Sequence, residues 1–302
     1  IYARPAIGVA MWPADGDDPG TVLHRARTAC MIARDLAGRV AMYAEDQENP
    51  EASRFLYENR LRGAVAEDTI EMVFQPQYDL RLGQIMGAES LLRWRDPRQG
   101  LIPVRDAFAV AESAGSVNEL VSSMLNRALR NCSEFRYSAG LDLRIGVNLP
   151  GRTLLHVEIA DIVERALRTW NLRPGRLVAE IGDIAVLESD PVARETLGRL
   201  KELGVRLSID DENMTVSSLF WLAAMPFREI KIDVTSATDL GVGAHSGRIM
   251  HSLVELGHQL KLDVVAVGAA DDAVEARLKE LGCDYVQSDK KAPPLEAQEF
   301  VK

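Results

Sequence analysis

From about residue 71 onward, strand-like and helix-like segments alternate without interruption, and this alternation limits the possible folds more than any other feature. Segments long enough for a crossover helix separate most of the strands, which is typical of a parallel sheet covered by helices. The eight predicted strands lie at 72–77, 84–94, 143–149, 176–181, 205–210, 228–232, 262–267 and 284–287. The predicted helices lie near 105–114, 117–134, 157–169, 191–203, 216–223, 245–259 and 271–281. This pattern predicts one closed barrel.

The first two strands of this region depart from a parallel plan. Met72–Leu80 and Gln84–Trp94 are joined only by Arg81-Leu82-Gly83, which is too short for a crossover and predicts an antiparallel hairpin. The predicted fold class is therefore α/β, a modified TIM-like (β/α)8 barrel with an antiparallel first strand and a small α/β N-terminal fragment.

The N-terminal part of the chain is too short for an independent core. Its predicted elements are a strand at 6–11, a helix at 21–37, a strand at 40–43 and a helix at 50–70 with one apolar stripe. The expected domains are a fragment of a larger domain at 1–46, a linker helix at 47–70 and a barrel domain at 71–302.

Composition excludes several classes of function. The net charge of −10 argues against binding of nucleic acid polymers or anionic membranes, because both need a basic surface. An anionic ligand would need local cations or a metal. Cys30, Cys132 and Cys283 are widely spaced and form no CxxC pair, which predicts inert thiols in a reducing compartment and thus a cytoplasmic location.

The sequence contains neither an apolar run long enough to span a membrane nor a signal peptide. It starts at Ile1, inside a strand-like segment. We therefore expect a longer parent protein whose upstream part holds a sensor or a membrane tether.

A polar residue lies at or near the end of seven of the predicted strands. These residues are Gln75, Glu89, Asn148, Glu180, Asp210 with Asp211, Lys231 and Gln287. Carboxylate and amide oxygens suit Mg²⁺ or Mn²⁺, and two such ions can clamp a phosphodiester and activate water. Lys231 is suited to stabilise charge that develops on the phosphate. Each residue taken singly also fits a solvated strand end, but their shared position favours a site.

Six short motifs occur in a fixed order along this region. They are Phe74-Gln75-Pro76, Glu89-Ser90-Leu91-Leu92-Arg93-Trp94, Val147-Asn148-Leu149, Glu180-Ile181-Gly182-Asp183, Ile209-Asp210-Asp211 and Lys231-Ile232-Asp233. Together they resemble the motifs of the EAL domain, the cyclic di-GMP phosphodiesterase family, from about residue 70 to 297. The second of them is similar to the E-A-L-x-R signature of that family.

The resemblance implies a modified barrel that hydrolyses cyclic di-GMP to linear pGpG with two divalent metals. The implied ligands of the first metal are Glu89, Asn148, Glu180 and Asp210, and Asp211 would serve the second. The resemblance also implies that Arg93 contacts phosphate and that Gln75 and Leu91 line the nucleotide pocket. The implied catalytic residues are Lys231, Asp211 and Gln287.

One departure from the family pattern removes a catalytic group. Where the family has A-E-G-V-E, this chain has Ala266-Val267-Gly268-Ala269-Ala270, so that both glutamates are missing. By the resemblance, Val267 stands where a second-metal ligand and general base would be. Valine can neither bind a cation nor accept a proton, and loss of a general base typically costs about 10²–10⁴-fold in rate. We expect one metal site to persist, whereas the second lacks a ligand.

Other departures affect the loops around the site. Glu212–Thr215 replaces the F-G-T-G segment and has lost two glycines that permit positive φ. Asp183 replaces a longer glutamate, and the preceding Gly182 replaces a threonine. Residues 287–290 replace the usual Q-G-Y segment.

A second, looser resemblance concerns the N-terminal fragment. Ile7-Gly8-Val9-Ala10, Arg25-Ala26 with Ala29, and Gly38-Arg39 resemble the tail of a GGDEF (diguanylate cyclase) domain. That family usually has Asp, Tyr and Lys at the positions of Arg27, Met31 and Arg34, and its signature loop is not in this chain. The resemblance therefore implies a degenerate remnant without cyclase activity.

Three functional hypotheses follow. The first is a catalytically impaired EAL domain that works in cyclic di-GMP signalling as a receptor or regulatory module. The second is an active phosphodiesterase with an alternative base. The third is an interaction scaffold that binds no nucleotide. The sequence leaves the formation of a homodimer open.

Overall fold

The structure, a computed structural model, describes residues 6–33, 40–43, 50–67, 69–96, 100–102, 104–182, 186–187, 190–210, 224–235 and 245–301. The chain divides into two compact units, Ile1–Ile70 with Arg93–Leu120, and Glu71–Leu92 with Val121–Lys302. The boundaries that we expected at residues 46 and 70 remain a prediction.

The first unit begins with a small α/β arrangement. Strands β1 (Ile7–Val9) and β2 (Val40–Met42) pair in parallel, and helix α1 (Pro19–Ala33) packs on them. A side-chain carbon at Gly8 would lie 2.1 Å from the Ala26 carbonyl oxygen, so that only glycine allows this approach of helix and strand. The first unit also contains helices α2 (Pro50–Ala66) and α3 (Val104–Ala114) and strand β5 (Gly100–Ile102).

A closed barrel of eight strands lies in the second unit, except for the last residues of β4 from Arg93 onward, which belong to the first unit. The strands are β3 (Glu71–Asp79), β4 (Ile85–Asp96), β6 (Arg144–Pro150), β7 (Leu177–Gly182), β8 (Arg206–Ile209), β9 (Glu229–Asp233), β10 (Asp263–Val267) and β11 (Tyr285–Gln287). Their order is β3-β11-β10-β9-β8-β7-β6-β4, and β3 pairs with β4 to close the barrel. The predicted barrel is confirmed.

The directions of the strands agree with the antiparallel hairpin that the short connection between the first two barrel strands predicts. Strand β4 and strands β6 to β11 form a continuous parallel series. Strand β3 pairs antiparallel with β11. Since β4 runs parallel to β11 through the series, β3 and β4 form the predicted antiparallel hairpin.

Helices cover the outside of the barrel. They are α4 (Val117–Ala139), α5 (Ile159–Thr169), α6 (Pro191–Glu202), α7 (His245–Gln259) and α8 (Asp272–Glu280). Two of them begin at an aspartate cap, where Asp190 accepts a hydrogen bond from the Val192 amide and Asp271 one from the Val274 amide. The helix predicted at 216–223 lies outside the described residues.

Several short elements were not predicted. Besides β5, they include two 3₁₀ helices at Gly151–Leu155 and Pro174–Arg176, strand β12 (Leu295–Glu296) and helix α9 (Ala297–Phe300). These elements have between two and five residues, which is too short to show a hydrophobic period. Strand β12 pairs antiparallel with β3.

The side chains of strand β3 alternate between the outer and the inner face of the barrel wall. Phe74 is fully buried and meets Phe135 of α4 edge to face at 5.1 Å between ring centroids, and Phe300 of α9 stacks on Phe135 at 4.8 Å. The neighbouring Gln75 and Gln77 both hydrogen-bond to Gln287 of β11. The apolar positions of β3 therefore pack against helices, and its amides point into the barrel.

Within the described residues, none of the helices combines the length and the apolarity that a bilayer span requires.

Candidate functional site

Three carboxylates and one lysine meet at the C-terminal ends of the parallel strands. The Lys231 ammonium lies 2.6 Å from Glu89 Oε2, 2.6 Å from Glu180 Oε2 and 3.8 Å from Asp210 Oδ2. Glu180 is fully buried, and Glu89 and Lys231 are nearly so. The strands β4, β7, β8 and β9 bring these residues together although they are up to 142 positions apart in the chain.

Amide side chains surround this cluster and hold Glu89 in place. Asn148 Nδ2 donates to Glu89 Oε1 at 2.5 Å, and Gln287 Nε2 donates to Glu89 Oε2 at 2.7 Å. The same Gln287 nitrogen donates to Gln75 Oε1 at 2.8 Å, and Gln75 Nε2 donates to Asp289 Oδ1 at 2.7 Å. A chain of hydrogen bonds thus runs from the acidic cluster to Asp289, which is exposed to solvent.

Burial and charge act in opposite directions on these groups. Burial alone would lower the pKa of Lys231, but Glu180, Glu89 and Asp210 raise it well above its ordinary value. Burial, followed by repulsion from Glu89, raises the pKa of Glu180. Burial also acts to raise the pKa of Glu89, but Lys231 and the hydrogen bonds from Gln287 and Asn148 lower it overall. Among the described residues of this cluster, three acidic side chains thus share one ammonium, and burial together with this crowding of like charge disfavours the anionic form of Glu180.

The donor set fits a hard divalent cation. One oxygen each of Glu89, Glu180 and Asp210 lies within 4.8 Å of the others. Glu180 Oε1 is buried and accepts no hydrogen bond from any residue that the structure describes. This oxygen faces Gly146, where a side-chain carbon would lie only 2.1 Å away, so that glycine is needed to make room for it. Oxygen ligands in a site with excess negative charge suit Mg²⁺ or Mn²⁺.

A comparison with protein families identifies the barrel. The family model described as the EAL domain matches residues 58–294. The chain belongs to the EAL domain family. The family membership that the ordered motifs implied is thereby confirmed, whereas the degeneracy of the domain and the GGDEF-like fragment remain predictions.

Relatives of this EAL domain include two curated bacterial proteins. The signaling protein YkoW of Bacillus subtilis is 28% identical over 100% of this chain and 38% of its own length. The bifunctional diguanylate cyclase/cyclic di-GMP phosphodiesterase MucR of Pseudomonas aeruginosa is 29% identical over 100% of this chain and 44% of its own length. The chain thus spans less than half the length of both relatives.

A solved structure shares the fold of this EAL domain. The PaMucR phosphodiesterase, solved as a c-di-GMP complex, has a TM-score of 0.72 and 29% identity, and the match covers 81% of this chain and 99% of that one.

The structure brings most of the predicted site residues of the EAL domain together. Those joined by hydrogen bonds or ion pairs are Gln75, Glu89, Asn148, Glu180, Asp210, Lys231 and Gln287. Leu91 follows Glu89 on β4 and is half-buried, and Arg93 lies further along β4, in the first unit. Asp211, Asp183 and the segment Glu212–Thr215 lie outside the described residues.

Val267 occupies the C-terminal end of β10, between two strands that carry site residues. It is paired in register with Asp233 of β9 and Gln287 of β11, and its side chain is half-buried. The end of β10 therefore presents an aliphatic side chain where its neighbouring strands present polar ones.

Two contacts of the site were not predicted. Gln77 Nε2 donates to Gln287 Oε1 at 3.0 Å, and Asp289 accepts from Gln75. The alternation along β3 could have revealed Gln77, since it lies on the same face as Gln75. No comparable signal exists for Asp289, because it follows the end of β11 in a loop.

Proposed function

We propose that this chain is an EAL module that binds cyclic di-GMP together with a divalent cation, but hydrolyses it slowly or not at all. It would act as a receptor or regulatory module in cyclic di-GMP signalling. The observation that carries the proposal is the combination of an intact acidic cluster with an aliphatic residue, Val267, at the end of β10.

The first metal site supports binding. Glu89, Asn148, Glu180 and Asp210 would hold one Mg²⁺ or Mn²⁺ ion, which supplies positive charge for a phosphodiester ligand. Gln75 is oriented for a ligand by hydrogen bonds on both sides of its amide group. By the family motif, Leu91 and Arg93 would contribute to the nucleotide pocket and to phosphate contact.

The absence of a base at position 267 argues against rapid turnover. A second metal would need Asp211 and a carboxylate at the end of β10, and valine offers no ligand atom. Lys231 is a poor replacement for the base because its ammonium already donates to Glu89 and Glu180. Lys231 and Gln287 are therefore proposed to stabilise charge and to orient groups rather than to remove a proton from water.

The proposal extends to the rest of the protein. Residues 1–46 would be the remnant of a degenerate GGDEF-like domain and residues 47–70 a linker helix. An upstream sensor or anchor region, a cytoplasmic location and a homodimer are further expectations of this proposal.

Titration calorimetry with cyclic di-GMP in the presence of Mg²⁺, Mn²⁺ or Ca²⁺, followed by chromatography of the same sample, tests the proposal. We expect heat of binding without accumulation of pGpG. Rapid formation of pGpG that is lost in Glu89→Ala would support the active phosphodiesterase instead. The absence of binding up to high micromolar nucleotide would support the interaction scaffold.

A pair of variants isolates the contribution of the missing base. Val267→Glu introduces a carboxylate at the end of β10, and Val267→Gln introduces a side chain of similar size that cannot accept a proton. We expect Val267→Glu to form pGpG faster than the wild type and Val267→Gln to remain at the wild-type rate. Equal rates for all three proteins would show that the base position does not limit turnover.

A further inference from the structure

Three oxygens inside the barrel are buried without a hydrogen-bond partner among the described residues. They are Glu180 Oε1, Ser208 Oγ and Glu229 Oε1. Glu180 and Ser208 are 0% exposed and Glu229 is 2% exposed, so that bulk water does not reach them. Buried polar atoms of folded proteins almost always have a partner, either another protein group or an ordered water molecule.

The three residues lie side by side on adjacent strands. Glu180 of β7 is paired in register with Ser208 of β8, and Ser208 is paired in register with Glu229 of β9. Register partners on parallel strands direct their side chains to the same face of the sheet. Here that face is the barrel interior, because Glu180 shares the Lys231 ammonium with Glu89 of β4. Ser208 therefore lies between two buried carboxylates.

The unpartnered carboxylate oxygens of this group outnumber its hydrogen-bond donors. Each carboxylate already has a cation near its other oxygen, since Lys231 lies 2.6 Å from Glu180 Oε2 and Arg144 lies 3.9 Å from Glu229 Oε2. The two remaining carboxylate oxygens need two donors, and the Ser208 hydroxyl supplies only one. A water molecule has two O–H groups and can therefore supply a donor to each of these oxygens.

We propose that the barrel interior binds a structural water molecule between Glu180, Ser208 and Glu229. The water donates one hydrogen bond to Glu180 Oε1 and one to Glu229 Oε1, and it accepts one from the Ser208 hydroxyl. Three hydrogen bonds are typical of a buried water. A metal ion is a poor occupant, because a hard cation needs about six oxygen ligands, whereas the described residues offer three unpartnered oxygens here.

The water gives Ser208 a role in metal binding, and this part of the inference rests on the proposed function. Glu180 is a proposed metal ligand, and groups that hydrogen-bond to a metal ligand fix its orientation. Ser208 is thus a positioning residue that acts on Glu180 through the water. The same water links the acidic cluster to Arg144 at the N-terminal end of β6.

A crystal structure of this chain at high resolution, measured for the wild type, Ser208→Thr and Ser208→Val, tests the water site. We expect density for one water within hydrogen-bond distance of all three oxygens in the wild type and in Ser208→Thr, and its loss in Ser208→Val. A direct hydrogen bond from Ser208 to a carboxylate with no water between them would overturn the proposal. So would a cation at this position, which soaking with Rb⁺ and anomalous diffraction would reveal.

Calorimetry with Mn²⁺ tests the role of Ser208 separately. We expect Ser208→Val to weaken Mn²⁺ binding about tenfold, and Ser208→Thr, which keeps the hydroxyl, to stay within about twofold of the wild type. Unchanged affinity in Ser208→Val would overturn the positioning role. If the wild type bound no Mn²⁺, the proposed function would fail, while the crystallographic result would still decide the water site.

Discussion

Two clusters of charged residues lie at opposite ends of the barrel, and they differ in their charge balance. At the C-terminal ends of the strands, the upper cluster consists of Glu89, Glu180 and Asp210, which share the ammonium of Lys231 among the residues that the structure describes. At the N-terminal ends, the first residues of four strands form the lower network, which contains two guanidinium groups and two carboxylates. These residues are Arg144, Arg206, Glu229 and Asp263.

The difference in charge balance distinguishes a candidate binding site from a network that only stabilises the fold. The lower network is neutral overall, and its closest contact joins Arg206 Nη2 to Asp263 Oδ2 at 2.6 Å, so that it needs no further ion. Within the described part of the chain, the upper cluster has three acidic side chains and one ammonium, and Glu89, Glu180 and Lys231 are buried, which favours the entry of a cation. The end of a parallel barrel that carries function is generally the C-terminal one, and the charge balance gives a physical reason for it here.

The largest effect is expected for Lys231→Met, which leaves the upper carboxylates without their cation. We expect the free energy of unfolding to fall by about 3–5 kcal/mol, as for other buried ion pairs that lose one partner. Mn²⁺ should restore part of this loss, because a bound ion would replace the lost positive charge. Denaturant unfolding with and without Mn²⁺ measures both effects. A loss below about 1 kcal/mol would contradict the proposed dependence on Lys231.

Arg144→Met tests the lower network in the same way. We expect a smaller loss of about 1–3 kcal/mol, because the Arg144–Glu229 contact is long at 3.9 Å and Asp263 keeps Arg206 as a partner. Mn²⁺ should give no recovery. The matched control is Arg130→Met, which breaks an exposed ion pair with Glu134 and should cost less than about 1 kcal/mol. Recovery of Arg144→Met with Mn²⁺ would show that the two ends do not differ as described.

Gly146→Ala tests the space that the upper cluster requires. The added methyl group would lie 2.1 Å from Glu180 Oε1, so that the carboxylate has to move. We expect a loss of about 1–3 kcal/mol in the free energy of unfolding and weaker Mn²⁺ binding in calorimetry. Gly198→Ala is the control, because that helical position has nothing within 4 Å and should gain about 0.5–1 kcal/mol. Unchanged Mn²⁺ affinity in Gly146→Ala would argue against Glu180 as a ligand.

The smallest effect is expected from the addition of a divalent ion to the wild type. Mn²⁺ at about ten times its dissociation constant should stabilise the folded protein by about 1.4 kcal/mol. Thermal unfolding at increasing Mn²⁺ concentration measures this gain, and Glu180→Gln should abolish it. Equal stabilisation of the wild type and Glu180→Gln would place the ion elsewhere.

The sequence predicted the barrel and most of the upper cluster because both depend on local patterns. Alternation of apolar segments defines the eight strands, and the three-residue connection before Gln84 predicts the antiparallel hairpin. The residues of the upper cluster lie at or near the ends of apolar strands, where a polar residue differs clearly from its neighbours in the sequence. Their placement at one end then follows from the parallel direction of the strands.

The lower network could not be predicted in the same way. Arg144, Arg206 and Glu229 are first residues of strands, and charged residues at such positions resemble any solvated loop. Their burial depends on how the barrel closes, which is a tertiary effect. The contact between Asp289 and Gln75 is similar, since it joins a loop to the first barrel strand across most of the domain.

The aromatic contact between Phe74, Phe135 and Phe300 has a consequence for the order of folding. The first barrel strand can complete its packing only after residues near 300 are available, since Phe300 lies against both other rings. Strand β3 also needs β11 and β12 as partners, and the Gln75–Asp289 contact spans 214 positions. Contacts of such long range slow folding and leave an unpaired strand edge during synthesis. During translation, β3 therefore has to wait for the last part of the barrel before the wall can close.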